Sequence, residues 1–128
     1  KVFHNSFSIS INIDLLFNEK FDIDTCTKRV MENFVIELVA ITKGAEGSTL
    51  FNNEEKDDCR IISSAIVDTL GAGDAFAAIF CIGYLRNWDL AKMNSLANEF
   101  ANQICQIRGA LPENDEVYEM IKEKFKNE

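Results

Sequence analysis

The sequence predicts an α/β fold in which a layered sheet is flanked by helices. Segments with a strand-like apolar pattern alternate along the chain with segments in which apolar residues recur at helical spacing. The composition, 47% hydrophobic with one proline in 128 residues, is that of a folded chain of single-domain size. A glycine-rich turn near residue 70 joins an apolar run to a helix, a junction at which ligands bind in such sheets. We therefore expect a single α/β domain over residues 1–128.

Strands are predicted to dominate the first half of the chain, with one helix between them. Apolar residues alternate with Ser and Asn within residues 1–17, which is the period of a half-buried strand. A helix is expected from an N-cap at Asp24 to about Asn33. The nearly continuous apolar run 35–42 is typical of a central strand covered on both faces. Residues 48–51 are predicted to form a short strand that returns beside it.

Helices are predicted to dominate the second half. A solvent-exposed polar loop is expected at residues 52–58, followed by one more strand at 59–64. The spacing of apolar residues predicts a helix over residues 75–86, and a second helix from an N-cap at Asp89 to Gly109. A last amphipathic helix is predicted from the spacing of Val117, Met120, Ile121 and Phe125.

Charge and cysteine content exclude several classes of function. A net charge of -8 argues against a general nucleic-acid binder, although a local anion site can still take a nucleotide. The four cysteines form no Cys-x-x-Cys pair and the chain has one histidine, so a zinc site is not expected. No apolar run is long enough for a membrane span. We expect reduced thiols, a cytoplasmic location, and neither nucleic acid nor membrane as a partner.

The strongest chemical signal is the segment Asp-Thr-Leu-Gly-Ala-Gly-Asp at residues 68–74. Gly71 and Gly73 can bring backbone close to a ligand, and Ala72 between them adds little bulk. The amides and dipole of the helix that follows attract phosphate, and Asp74 supplies a carboxylate at the same place. Phosphoryl transfer depends on positioning and charge stabilisation more than on a strong base, so a carboxylate suffices. The alternative is that Asp74 only caps the helix.

This segment resembles the signature of the ribokinase-like, or PfkB, family of carbohydrate kinases. The resemblance implies a ribokinase-like fold in which Asp74 is the base that accepts the hydroxyl proton. It also implies that the amides of Gly71, Ala72 and Gly73 form an anion hole for the transferring phosphoryl group. The expected function is ATP-dependent phosphorylation of a sugar, with fructose as the first choice of substrate. The alternative is a non-catalytic nucleotide-binding or assembly module that keeps the fold.

A second segment, residues 42–48, is similar to the Thr-x-Gly-x-x-Gly turn that lies against the nucleotide phosphates in this family. The resemblance places Thr42, Gly44 and Gly47 at the nucleotide, and Lys43 could neutralise phosphate charge. The alternative is that both glycines serve a tight hairpin and that Lys43 is a solvent-exposed side chain.

The resemblance also implies an adenine site and two cations. Asn98 and Asn102 occupy the helix that contacts adenine in the family, although small residues beside them are equally typical of helix packing. Asp68 and Leu70 fall at positions whose backbone carbonyls help to hold a monovalent cation such as K⁺. The family's Asn-x-x-Glu motif, which orders magnesium, is not found before Asp24, so Mg²⁺ is expected to arrive with ATP.

The resemblance runs from about Asp24 to the end of the chain and corresponds to the C-terminal portion of a family member. The N-terminal portion, which supplies most of the sugar pocket and a lid that excludes water, has no counterpart here. The chain is then a fragment of a longer kinase, a split or decayed gene product, or a protein that kept only the nucleotide half. We expect one of the first two. A sheet without its N-terminal strands exposes an edge, which predicts a homodimer or association with the missing half.

Overall fold

The structure, a computed structural model, describes residues 22–61 and 66–126. The chain divides into two compact units, Lys1–Arg60 and Ile61–Glu128. The strand expected within residues 1–17 lies outside the described residues, and so do residues 62–64 of the strand expected at 59–64. The expectation of a single domain stays a prediction.

The described part of the first unit begins with helix α1, Ile23–Phe34. Its N-cap is Asp22 and not the predicted Asp24, because Asp22 has the extended backbone of a cap and accepts a hydrogen bond from the amide of Thr25 at 3.0 Å. The helix ends at Val35, which adopts a left-handed conformation with φ of 54°. The predicted start of a strand at residue 35 is therefore wrong.

Three short strands form an antiparallel sheet in the order β1-β2-β3. They are β1, Leu38–Thr42; β2, Ser48–Asn52; and β3, Lys56–Cys59. The predicted loop at 52–58 is shorter than expected, because the Asn52 side chain accepts hydrogen bonds from the amides of Glu54 and Glu55 and closes a tight turn. Residues of β3 alternate between exposed and half-buried, which lets a charged sequence form a strand.

Helix α1 packs on one face of this sheet. The side chains of this core are Met31, Ile36, Val39, Ile41 and Phe51, with Val30 packed against them. Strand β1 is buried at four of its five positions, as its continuous apolar run predicts.

The second unit is built from three helices: α2, Ala72–Leu85; α3, Leu90–Ile104; and α4, Glu116–Lys126. The N-cap predicted at Asp89 is confirmed, since its carboxylate accepts a hydrogen bond from the amide of Lys92 at 2.8 Å. Helix α2 begins at Ala72, three residues before the predicted start, so it includes the motif residues Gly73 and Asp74.

One other prediction for this unit is wrong and one is confirmed. Helix α3 ends at Ile104 and not at Gly109, because the chain leaves the helix after Cys105. The terminal helix predicted from Val117, Met120, Ile121 and Phe125 is present as α4, in which Ile121 is buried and Met120 is 46% exposed. Ring contacts at both ends also hold helix α4, Trp88 with Phe125 and Phe100 with Tyr118. The described residues form both strands and helices, and the predicted α/β class is confirmed.

Candidate active site

The segment before α2 is attached to the segment that follows α3. The amides of Val67 and Asp68 both donate to the carbonyl of Cys105, at 2.8 and 3.2 Å. The two carboxylate oxygens of Asp68 accept from the amides of Leu70 and Gly109, each at 3.0 Å. These backbone hydrogen bonds lower the pKa of Asp68 and keep its carboxyl group ionised.

Helix α2 begins without a side-chain cap. Its N-cap, Gly71, is left-handed with φ of 82° and offers no side-chain acceptor. A Cβ at this position would lie 2.7 Å from the Cβ of Ala110, so both the backbone angle and the close approach require glycine. The fold therefore places a bare glycine where most helices carry a capping side chain.

The amides at this helix start have few partners within the described residues. The amide of Ala72 donates to the carbonyl of Thr69 over a long 3.3 Å. No described residue accepts a hydrogen bond from the amides of Gly71, Gly73 or Asp74. The first N–H groups of a helix lack partners within the helix, and here they are left for an outside acceptor. Such a helix start can bind an anion.

Asp74 is the third residue of α2 and is exposed. The alternative in which Asp74 only caps the helix does not describe this structure, since the cap position belongs to Gly71. Its carboxylate lies in the first turn, the same turn whose amides lack acceptors in the part of the chain that the structure describes. A carboxylate there can orient a hydroxyl group and accept its proton.

Gly73 differs from Gly71 because nothing in the described structure requires it. Its φ is not positive, and a Cβ built on it meets no atom within 4 Å. Glycine near the start of a helix costs about 0.5–1 kcal/mol relative to alanine. The open space above Gly73 leaves room for a ligand to approach the backbone.

The glycine turn of the first unit follows β1. Residues Gly44–Glu46 form a single 3₁₀ turn in which the amides of Glu46 and Gly47 are hydrogen-bonded within the turn. The amides of Gly44 and Ala45 have no acceptor among the described residues. Gly47 is required by the sheet, because its Cβ would lie 2.0 Å from the carbonyl oxygen of Cys59. The hairpin alternative therefore accounts for Gly47.

The comparison with known families decides the identity of the fold. The model of the pfkB family carbohydrate kinases matches residues 12–116, most of the chain. This chain belongs to that family. The motif at residues 68–74 and the turn at 42–48 both lie within the matched range.

Relatives of this PfkB family protein include sugar and nucleoside kinases. An uncharacterized sugar kinase of Archaeoglobus fulgidus is 37% identical over 98 residues, which are 77% of this chain and 38% of the relative. The crystal structure of adenosine kinase from Sinorhizobium meliloti superposes with a TM-score of 0.69 at 26% identity, covering 83% of this chain and 32% of that one. Arabidopsis thaliana ribokinase complexed with ribose and ATP gives a TM-score of 0.65 at 26% identity, covering 81% and 35%. The chain thus spans about a third of the length of its relatives, and its fold is ribokinase-like.

Lys43 of the PfkB turn points to a carboxylate on β3. Its ammonium group lies 3.3 Å from Asp58, which also accepts a hydrogen bond from the buried Thr49. The pKa of Asp58 is held below its usual range by the hydrogen bond from Thr49 and by the charges of Lys43 and Lys56. Asp58 was not predicted as part of this turn, since only the β2–β3 register places it opposite Thr49.

The two asparagines expected at adenine lie on α3. Asn98 is 4% exposed, and its side-chain amide donates to the carbonyl and the side-chain oxygen of Asn94, at 2.8 and 3.0 Å. Asn102 is partly exposed one turn further along. The adenine role of both stays a prediction, and the structure adds a packing role for Asn98.

Residues 22–61 and 66–126 hold neither a metal-binding cluster nor a helix that could span a membrane. These ranges contain no group of three or more His, Cys, Asp or Glu side chains that could hold a metal ion. None of their helices has both the length and the apolar character needed to cross a bilayer. The carbonyls of Asp68 and Leu70 accept no hydrogen bond from any described residue.

Proposed function

We propose that this chain carries the phosphoryl-transfer part of an ATP-dependent sugar kinase. The observation that carries the proposal is the start of α2, where the amides after a glycine cap have few acceptors among the described residues and the carboxylate of Asp74 is exposed. Amides and helix dipole attract an anionic phosphoryl group, and the carboxylate attracts a hydroxyl group. Both reactants of a phosphoryl transfer are thereby drawn to one place.

The reaction places each motif residue in a role. A hydroxyl oxygen of the sugar forms a bond to the γ-phosphorus of ATP while the bond from that phosphorus to its bridging oxygen breaks, which releases ADP. Asp74 accepts the hydroxyl proton as it leaves the oxygen. The amides of Gly71, Ala72 and Gly73 stabilise the charge on the transferring group. Ala72 contributes by giving up its long bond to Thr69.

The remaining site residues are proposed to hold the nucleotide. The amides of Gly44 and Ala45 offer donors for phosphate oxygens, and Lys43 offers a positive charge in the same turn. Thr42 shapes this turn through its pairing with Ser48, and Gly47 shapes it through its carbonyl, which accepts the amide of Lys43. Asn102 and, through its packing, Asn98 are assigned to adenine.

Two cations belong to the proposal. Mg²⁺ neutralises phosphate charge when bound, and it is proposed to arrive with ATP, which is a common arrangement for this ion. The carbonyls of Asp68 and Leu70 fit a monovalent cation such as K⁺, since both lack hydrogen-bond donors among the described residues. A cytoplasmic location, where thiols stay reduced, is also part of the proposal.

The acceptor is proposed to be a sugar, with fructose as the first choice. Sugar kinases among the relatives support the class, while the adenosine kinase structure favours testing nucleosides beside it. Fructose itself rests on the likeness of residues 42–48 to fructokinases. Because the chain spans about a third of its relatives, the sugar pocket is proposed to be completed by an N-terminal half or a second copy. The exposed side chains Phe34, Val35 and Leu111 support such an association.

The test combines ATP binding with turnover. Titration calorimetry with ATP-Mg measures binding, and a coupled ADP assay over a panel of sugars and nucleosides measures transfer. Binding with acceptor-dependent ADP release supports the proposal. Binding without any release supports the non-catalytic module, and a monomer by light scattering at micromolar concentration contradicts the dimer.

The decisive variant is Asp74→Asn. We expect turnover to fall by about 10²–10⁴-fold, because the proton acceptor is lost, while the Kd for ATP-Mg changes little. Glu116→Gln is the matched control, since it removes an acidic charge from the first turn of α4 and should leave turnover unchanged. Equal turnover in Asp74→Asn and the native chain would overturn the assignment of the base.

A further inference from the structure

The turn that begins α2 is joined to the chain after α3 by three separate links. Cys105 accepts two amides through its carbonyl, Asp68 accepts the amide of Gly109 through its carboxylate, and Ala110 packs against the bare Cα of Gly71. The joined segments are 41 residues apart in sequence at the Asp68–Gly109 link. One carboxylate therefore fixes two backbone amides from two distant parts of the second unit.

We propose that Asp68 is a positioning residue, whose carboxylate sets the geometry of the anion hole by fastening the turn at Leu70 to the backbone of Gly109. This inference rests on the proposed function, because it assigns Asp68 an effect on the amides of Gly71 to Gly73. Its carboxylate acts through hydrogen bonds to the chain's own backbone.

The physical reason lies in the weak backbone preference of the glycines in these two segments. Gly71 and Gly109 are both left-handed glycines, with φ of 82° and 83°, and glycine confines its backbone poorly. The cap position of α2 offers no side chain. A charged acceptor makes hydrogen bonds about twice as strong as neutral ones, so the two bonds of the Asp68 carboxylate are a strong restraint on the turn.

Asp68→Asn separates the two bonds of this carboxylate. Asparagine still accepts the amide of Leu70 in the same turn geometry, but its NH₂ group cannot accept the amide of Gly109. Asp68→Ala removes both bonds. Asp89→Asn is the matched control, because Asp89 also accepts a backbone amide in this unit and lies at the opposite end of α2 from the turn.

The first readout is the backbone amide spectrum of the 128-residue chain with and without ATP-Mg. In Asp68→Asn we expect hydrogen exchange at Gly109 to rise about tenfold, and the response of the Gly71 and Gly73 amides to ATP-Mg to weaken. If those amides respond to ATP-Mg in the native chain and identically in Asp68→Asn, the positioning role is wrong. If they do not respond even in the native chain, the proposed function fails first.

The second readout separates positioning from a purely structural role and from a role through a cation. We expect kcat in the ADP assay to fall by about tenfold to a hundredfold in Asp68→Asn, with the KM for the acceptor unchanged, because only the transferring group is misplaced. Asp89→Asn should leave both constants as in the native chain. Recovery of kcat at raised K⁺ would overturn the proposal, since the carboxylate would then act through the ion.

Discussion

Helices α2 and α3 lie in the same unit and begin in opposite ways. Helix α3 starts from Asp89, an extended residue whose carboxylate accepts the amide of Lys92. Helix α2 starts from Gly71, which is left-handed and has no side chain to accept anything. An aspartate cap stabilises a helix by about 1 kcal/mol, and α2 does without one. The start of α3 is therefore explained by helix stability, while the start of α2 is not.

The two motif glycines, Gly71 and Gly73, also differ in whether the fold requires them. Gly71 is explained by the fold, since its φ and the nearness of Ala110 exclude a side chain. Gly73 has an ordinary helical φ and open space around it, so the fold tolerates alanine there. A glycine that the structure does not need is the better evidence for a ligand.

The largest effect on the fold is expected from Gly71→Ala. The substitution combines a left-handed φ with a clash against Ala110, so we expect the free energy of unfolding to fall by about 2–4 kcal/mol. Chemical denaturation measures it. The control is Gly44→Ala, which has a φ of 59° but meets no atom within 4 Å and should lose only about 1 kcal/mol. Similar losses in the two variants would show that the Ala110 contact is not restrictive.

A smaller effect of opposite sign is expected from Gly73→Ala. The free energy of unfolding should rise by about 0.5–1 kcal/mol, because alanine is the better helix former. ATP-Mg affinity and turnover should fall, because the added methyl group fills the space above the amides. Calorimetry and denaturation on the same samples measure both changes.

The control for Gly73→Ala is the reverse exchange further along α2. Ala78 is exposed within the helix, and Ala78→Gly should destabilise the chain by a similar amount without altering ATP-Mg binding. If Gly73→Ala stabilised the chain and bound ATP-Mg as well as the native protein, the open space would have no ligand to explain it.

The sequence predicted elements whose cause is local. The Asp89 cap, the returning strand β2 and the helix that starts at the motif all follow from side chains within a few residues. The cap of α1 was misplaced by two residues, because Asp22 and Asp24 have the same side chain and only the backbone of Asp22 is extended. The left-handed end at Val35 was missed because a β-branched residue rarely adopts it.

Contacts between distant segments could not be predicted. The Lys43–Asp58 pair depends on the register of β2 and β3, and the Asp68–Gly109 bond depends on where α3 ends. Lys, Asp and Gly are all common in solvent-exposed loops, so the residue types give no sign of either contact. The identity of the candidate site was therefore visible in the motif, while the contacts that hold it required the fold.

The smallest effect is expected at low pH, where protonation of Asp22 should weaken the cap of α1. Hydrogen bonds from the hydroxyl and amide of Thr25 lower the pKa of Asp22 below its usual range. The cap therefore stabilises α1 fully above the unfolded-state pKa of aspartate and loses this effect as pH falls through the lower, folded-state pKa. We expect the Thr25 amide signal to shift and α1 to fray across that acid range, followed by NMR. Asp22→Asn keeps an acceptor that does not titrate, so α1 of this variant should lack the acid transition. An identical acid profile in both proteins would mean that the Asp22 carboxylate does not stabilise the helix.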